Sequence, residues 1–282
     1  MIERRNFSIP GKHGKPVVAD FCCASTGEAK PLVFFIHGYK GFKDWGVFGC
    51  MDELLLAAGF AVFKMNFSHN GGTVDEPIDF PDLEAFGNNN YSIELDDVAS
   101  ALEWIRNEQA LSGEVDLNCI SLIGHSRGGA IAILTAAQDA RIHRLVTWAS
   151  VSTLHRTMFN EGAELDEWKR NGVLYVKNGR TGQDMPHYIQ FYEDYLAHRE
   201  RLDVEAAARK LSVPHLILHG KGDSSVPHTH AMELHAWSSL SRLHLIADAD
   251  HVFGGKHPWT GESLPADFEE VLTETVGFLL EG

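Results

Sequence analysis

In "ISLIGHSRGGAIAIL", Ile120 to Leu134, the polar corner Gly124-His125-Ser126-Arg127-Gly128 interrupts two apolar runs. The spacing is G-x-S-x-G, and its context, a short apolar strand followed by a helix of small residues, is the one in which a serine works as a nucleophile at a strained turn. A serine hydroxyl is a weak nucleophile until a base takes its proton and an acid orients that base. The order serine, acid, histidine suits such a turn, and two downstream loops supply it: Asp223 in "LILHGKGDSSVP" and His251 in "LIADADHVFGG". Asp248 and Asp250 are nearer to His251 in sequence, but no strand end intervenes to carry them behind its ring. His219, His228, His230, His244 and His257 compete with His251, which alone combines the right order with a loop that follows a strand. Backbone N–H groups must hold the developing oxyanion, and Arg127, directly after the serine, and Tyr39 in "FFIHGYKGF" are the candidates. His37 and Gly38 are expected to shape that second loop.

These residues need strands that end at one edge. Six short apolar runs recur: "LVFFIHG" from Leu32, "AVFKMNF" from Ala61, "CISLIG" from Cys119, "RLVTWAS" from Arg144, "HLILHG" from His215 and "RLHLIAD" from Arg242. Their hydrophobicity is continuous, not alternating, as in strands covered on both faces. Between them "YSIELDDVASALEWIRN" puts Tyr91, Leu95, Val98, Leu102 and Ile105 on one helical stripe, with its acids mostly elsewhere. The last helix is predicted to start at an Asp267 cap and to bury Phe268, Leu272, Val276 and Leu279. Asn6–Ile9 and Val17–Phe21 read as an antiparallel edge hairpin. The predicted fold is α/β, a doubly wound, mainly parallel sheet of about eight strands, in one domain spanning 1–282.

Residues 152–208 break the alternation and are predicted to form a cap insertion over the carboxyl edge of the sheet, where open α/β sheets bind ligands. Turn signals fall near Gly179 and Gly182. Tyr188, Phe191, Tyr192 and Tyr195 recur at helical spacing, a pattern of a buried face that also leaves room for ligand contact. Tyr175, Tyr188 and Tyr192 are the expected substrate contacts. Glu161, Glu164, Asp166 and Glu167 read as a solvated helix face, His228-x-His230 lacks a third metal ligand, and Lys40, Lys43 and Asp44, after the oxyanion loop, read as surface residues with contact to a polar leaving group as the alternative.

Composition narrows the partners. With 39 acidic against 24 basic residues the net charge is −15, which disfavours a general electrostatic hold on nucleic acid or an anionic membrane. Cys22, Cys23, Cys50 and Cys119 form no C-x-x-C pair and read as reduced thiols. No apolar stretch reaches the roughly 18 residues of a membrane span, and a cytoplasmic protein acting on a small molecule, as monomer or homodimer and with no metal or other cofactor, is expected.

"HGYKG", "GHSRGG", "HGKGD" and "DHVF", in that order and approximate spacing, resemble the α/β-hydrolase superfamily over nearly the whole chain. "HGYKGFKDWGVF" and "MNFSHNGG" are similar to the cinnamoyl or feruloyl esterase-like and dienelactone-hydrolase-like branches. Dienelactone hydrolases typically carry cysteine where Ser126 stands, and the "HGGG" motif of the hormone-sensitive-lipase type is missing. The resemblance implies a serine hydrolase that cleaves carboxylic esters, with short-chain or aromatic acyl groups, through an acyl-enzyme. It also implies that "NGVLYVKNGRTGQDMP" in the cap decides specificity. A small-peptide aminopeptidase or thioesterase on the same scaffold, with Glu161 or Glu164 meeting a peptide's ammonium group, and a noncatalytic hydrolase-fold binding protein are the rival readings.

Overall fold

The computed structural model describes residues 2–281. Ten strands, β1 (Ile2–Ile9), β2 (Val17–Ala24), β3 (Lys30–Ile36), β4 (Ala61–Asn66), β5 (Val115–His125), β6 (Ile142–Trp148), β7 (Val173–Lys177), β8 (Asp184–Tyr188), β9 (His215–Gly220) and β10 (Ser241–Ile246), alternate with helices. The helices are α1 (Met51–Ala57), α2 (Leu83–Gly87), α3 (Tyr91–Asn107), α4 (Arg127–Ala136), α5 (Ala163–Asn171), α6 (Gln190–Ala197), α7 (Val204–Lys210), α8 (Thr229–Trp237) and α9 (Ala266–Leu280). Eight strands form one sheet in the order β1-β2-β4-β3-β5-β6-β9-β10, and β7 pairs with β8 as a separate hairpin. From β4 to β10 the neighbours are parallel; β2 runs antiparallel to β4, and β1 is the antiparallel edge.

The continuous apolar runs are explained by parity along each strand. Leu32, Phe34 and Ile36 of β3 join Phe63 and Met65 of β4 and Leu122 of β5 in a core shared with α3 and α4. Val33, Phe35, Val62 and Ile123, the residues between them, face the opposite core with Met51 and Leu55 of α1 and Phe268 and Leu272 of α9. A side chain on either parity is therefore buried, which a two-residue alternation cannot reveal. Asn90 caps α3 by accepting from the Ile93 N–H at 2.9 Å.

Several expectations are corrected. The edge hairpin is longer than the sequence suggests, spanning Ile2–Ile9 and Val17–Ala24. Helix α9 has Pro265 at its cap, so Asp267 lies in the first turn and supplies no capping bond. Glu94 and Asp97 lie on the buried side of α3, not its outer face. Tyr188 ends strand β8, leaving only Phe191, Tyr192 and Tyr195 of the proposed stripe on α6. The segment 152–208 contains a β hairpin whose turn, but not its short strands, is readable in the sequence. Its last helix, α7, packs against α4 and α8.

Lys43 is also buried, not a surface residue, and it belongs to an ion network beneath the loop after β3. Its ammonium pairs with Asp20 and Asp44; Lys64 reaches Asp44 at 2.6 Å and Asp52 at 3.0 Å; Arg4 reaches Asp52 at 2.8 Å. The Lys43 N–H donates to Asn66 Oδ1 at 2.7 Å, fixing the loop backbone to the end of β4. Because Lys64 and Asp52 are almost wholly excluded from water, losing one partner strands the others. Lys64→Met is expected to lower unfolding free energy by about 3 kcal/mol or more, read from urea titration against the unmodified chain.

Candidate functional site

Ser126 lies between the end of β5 and the first residue of α4, at φ 56° and ψ −123°, a strained backbone for any residue with a side chain. Backbone hydrogen bonds hold it there: its N–H donates to Trp148 O at 2.8 Å, and its carbonyl accepts from the Gly129 N–H at 3.0 Å and the Val151 N–H at 3.4 Å. A Cβ on Gly124 would sit 2.4 Å from Gly128 O, and one on Gly128 would sit 2.3 Å from Ile36 O. Only glycine fits at either flank, so the motif's spacing follows from packing of β5, α4 and the β3 loop.

The loops after β9 and β10 bring an acid and a base to the same edge. Lys221 N–H donates to Ile246 O at 2.9 Å and Gly222 N–H to Ala249 O at 3.0 Å, so the two loops are bonded to each other. His251 Nδ1 lies 2.7 Å from Asp223 Oδ2, and its Nε2 lies 3.1 Å from Ser126 Oγ. A carboxylate only accepts, so Nδ1 donates to Asp223 and Nε2 is left to accept the serine proton. Asp250, the nearer acid in sequence, accepts from the Val252 and Gly254 N–H groups at 3.0 and 2.9 Å and so shapes the histidine loop.

The Asp223 side chain is fully buried. Burial alone would raise its carboxyl, but hydrogen bonds from His219 and His251, the charge of His251 and the Val226 N–H overcome it and hold the group well below the usual carboxylate range. Its other oxygen accepts from the Ser225 and Val226 N–H groups, each at 2.8 Å. His219, in sequence only a rival base, lies behind the acid, 3.3 Å from Asp223 Oδ2 and 2.8 Å from Val226 O. Its position four residues before Asp223, at the end of an apolar strand, is the signal that could have found it.

Arg127 is the first residue of α4, so its backbone N–H has no intrahelical acceptor. Its guanidinium turns away to meet the buried Glu94 at 2.6 Å and lies 4.8 Å from the Tyr39 ring centroid. Tyr39 follows Gly38, whose Cα faces Ser126, and its hydroxyl is 2.6 Å from His187 Nε2. His37 Nδ1 donates to Gly38 O at 2.8 Å while Nε2 accepts from the Phe67 N–H, so it shapes the loop as expected.

Two cavities meet at Ser126 and His251. The smaller, about 160 Å³, is walled by Phe42, Trp45, Phe48 and Val252; the larger, about 400 Å³, is walled by Tyr91, Val151, Leu154, Arg156 and Val226. Tyr39 borders both. Tyr175, Tyr188 and Tyr192 border neither, which corrects the expected substrate contacts. Tyr175 is 60% exposed on β7, Tyr188 bonds Glu84, and Tyr192 packs on Phe159 and Trp168. Helical spacing of aromatics marks the insertion's own core and misses the loop 153–156, which has no periodicity to read.

Among the described residues, no group of three His, Cys, Asp or Glu side chains could hold a metal. His230 instead accepts from Ser152. Nor is any described helix long and apolar enough to cross a membrane.

The sequence profile of the α/β-hydrolase family matches residues 33–262. The chain belongs to that family. A curated relative, the platelet-activating factor acetylhydrolase of Cavia porcellus, is 23% identical over 87% of this chain, which spans 62% of that relative's length. Among solved structures, Est1E from Butyrivibrio proteoclasticus with ferulic acid bound superposes with a TM-score of 0.74 at 18% identity, covering 98% of each chain. Dienelactone hydrolase from Anabaena variabilis ATCC 29413 gives 0.64 at 14% identity over 99% of this chain and 97% of that one. At these identities the likeness to the solved structures is one of fold.

Several neutral histidines are buried in the fold, two of them beside the site. Burial pushes His37 down to about 4 and His125 to about 3, the latter with the charge of His251 adding to the effect; burial likewise lowers His215 in β9 to about 3. Unfolding releases each to an ordinary value near 6.5, so between about 6.5 and 4 the unfolded chain binds more protons and stability falls as pH falls. At pH 5.5 each such histidine removes about 1.4 kcal/mol. The thermal midpoint is expected to drop steadily from pH 7.5 to 5.5 in scanning calorimetry, and a flat profile would contradict neutral burial.

Proposed function

We propose that this chain is a serine hydrolase of carboxylic esters, and the observation that carries the proposal is the chain of contacts from Asp223 through His251 to Ser126 at 2.7 and 3.1 Å. Ser126 Oγ attacks the ester carbonyl carbon while its proton passes to His251 Nε2. The carbonyl oxygen becomes an oxyanion, held by the backbone N–H groups of Tyr39 and Arg127. When the carbonyl re-forms, the bond to the alkoxy group breaks and His251 returns the proton to the leaving alcohol. Water then enters, its oxygen attacks the acyl carbon as His251 Nε2 takes its proton, and when the acyl–Ser126 bond breaks His251 returns that proton to Ser126 Oγ, releasing the acid and restoring the serine. Asp223 fixes the imidazole tautomer and stabilises the imidazolium formed at each stage; its depressed pKa keeps it charged throughout.

The apolar cavity of about 160 Å³ suits a short-chain or aromatic group, and an aromatic acid is bound in the similarly folded Est1E. The Cavia porcellus relative is an acetylhydrolase by name, which agrees with cleavage at an acyl carbon. We read the insertion from 152 onward as a cap because Thr153, Leu154, His155 and Arg156 close one side of the larger cavity. An aminopeptidase would need a carboxylate for the substrate's ammonium group. No acid borders either cavity, and Glu161 and Glu164 are exposed on the insertion's outer side.

Ser126→Ala is expected to lower kcat/KM for p-nitrophenyl acetate or butyrate by roughly three orders of magnitude or more, to the rate of background binding and oxyanion effects. Turnover unchanged from the unmodified chain would overturn the assignment. Asp223→Asn leaves the ring in place but offers a donor where an acceptor is needed. It is expected to lower kcat by roughly 10⁴ while a fluorophosphonate still labels Ser126 slowly. A drop below tenfold in steady-state kinetics would remove Asp223 from the triad.

A further inference from the structure

The larger cavity beside Ser126 has a charge that the rest of the chain does not share. The protein carries a net −15, yet Lys40, Arg127 and Arg156 border this cavity and no aspartate or glutamate does. Arg127 is answered by Glu94 at 2.6 Å. Arg156 pairs with no carboxylate among the described residues; its guanidinium carbon lies 4.5 Å from the Tyr39 ring centroid. Lys40 Nζ lies 5.0 Å from the same ring and donates only to the neutral Lys177 carbonyl, at 2.8 Å. Burial and, after it, repulsion from Arg156 lower the Lys40 pKa, as expected of two cations that share a partly enclosed space without an anion.

A guanidinium stacked on an aromatic ring keeps its N–H fork free at the edge, and that fork matches a planar carboxylate. The remaining wall is apolar or neutral: Tyr91, Val151, Leu154 and Val226 suit a carbon chain between the charge and the reacting carbonyl. A single carboxylate balances the Arg156 guanidinium, which has no carboxylate partner among the described residues, and the half-buried Lys40 ammonium adds its attraction from the rim. Resting on the ester-hydrolase reading, we propose that the physiological substrate is an ester bearing a second, free carboxylate, which Arg156 binds in the larger cavity with Lys40 beside it. The smaller, apolar cavity then receives the uncharged side of the ester.

The test uses two matched pairs of esters with the full chain. In p-nitrophenyl hydrogen glutarate and p-nitrophenyl methyl glutarate the charge differs on the acyl side; in 4-acetoxybenzoate and methyl 4-acetoxybenzoate it differs on the alcohol side. The anionic member of at least one pair is expected to have the higher kcat/KM by about tenfold or more, the range of a charge-assisted hydrogen bond. In that pair Arg156→Gln should bring the ratio to about one, while Arg156→Lys retains part of it, which a merely structural role would not produce. Ser126-dependent hydrolysis of p-nitrophenyl acetate with no anionic preference in either pair would overturn the carboxylate and leave the hydrolase standing. If no ester is cleaved, the hydrolase reading falls, and calorimetric titration with monomethyl glutarate decides the pocket. Binding that Arg156→Gln abolishes supports it, and no binding overturns it.

Discussion

Everything at this site depends on holding one serine in a backbone conformation it would not choose. At φ 56° and ψ −123°, Ser126 stores about 1–3 kcal/mol of strain that its surroundings must over-determine. They do so by contact: Gly124 meets the Gly128 carbonyl, Gly128 meets the Ile36 carbonyl, and the Ser126 N–H is bonded to Trp148 O in the neighbouring strand. The result is a hydroxyl that stands above the sheet edge at the start of α4, where unpaired N–H groups face outward. A relaxed turn would let the hydroxyl cap its own helix, and indeed Ser126 makes no side-chain capping bond.

Fixing the serine is useful only if the other groups are fixed to the same frame, and each is tied by a different kind of bond. The acid and base loops are joined through backbone hydrogen bonds, so His251 and Asp223 move together. The loop that carries Tyr39 is anchored from below by the Lys43, Asp44, Lys64 and Asp52 network. Buried ion pairs seldom add much net stability over apolar packing, but they are strict about geometry, and here they fix the backbone of the loop that carries Tyr39.

How much of this was legible in the sequence follows from which constraints are local. The G-x-S-x-G corner, the strand runs and the order Ser126, Asp223, His251 are readable because each is a short-range pattern tied to strand ends. The hairpin β7–β8 escapes because its strands are only five residues long, leaving only the turn at Asn178–Gly182 as a signal. Glu94 and Lys43 mislead for one reason: a charged residue looks exposed until its partner is known, and Arg127 lies 33 positions from Glu94 and Asp20 lies 23 from Lys43. The tyrosines mislead because helical periodicity reports burial in any core, here that of the insertion, and says nothing of which surface meets Ser126.

The two cavities follow from the same geometry. Because Ser126 projects between the β3 loop and the start of α4, space is left on both sides of its hydroxyl, and the two sides are lined by chain segments of different origin. Phe42, Trp45 and Phe48 come from the loop that the ion network anchors, so the small cavity is rigid and apolar. Thr153 to Arg156 come from the segment directly after β6, which no strand or helix repeats and no ion network pins. Leu154 is buried in the core and Arg156 lies over the Tyr39 ring, so packing ties this segment to the fold. Ser126, Asp223 and His251 thus sit at bonded strand ends, whereas Arg156 belongs to the neighbouring loop that closes the other side of the larger cavity.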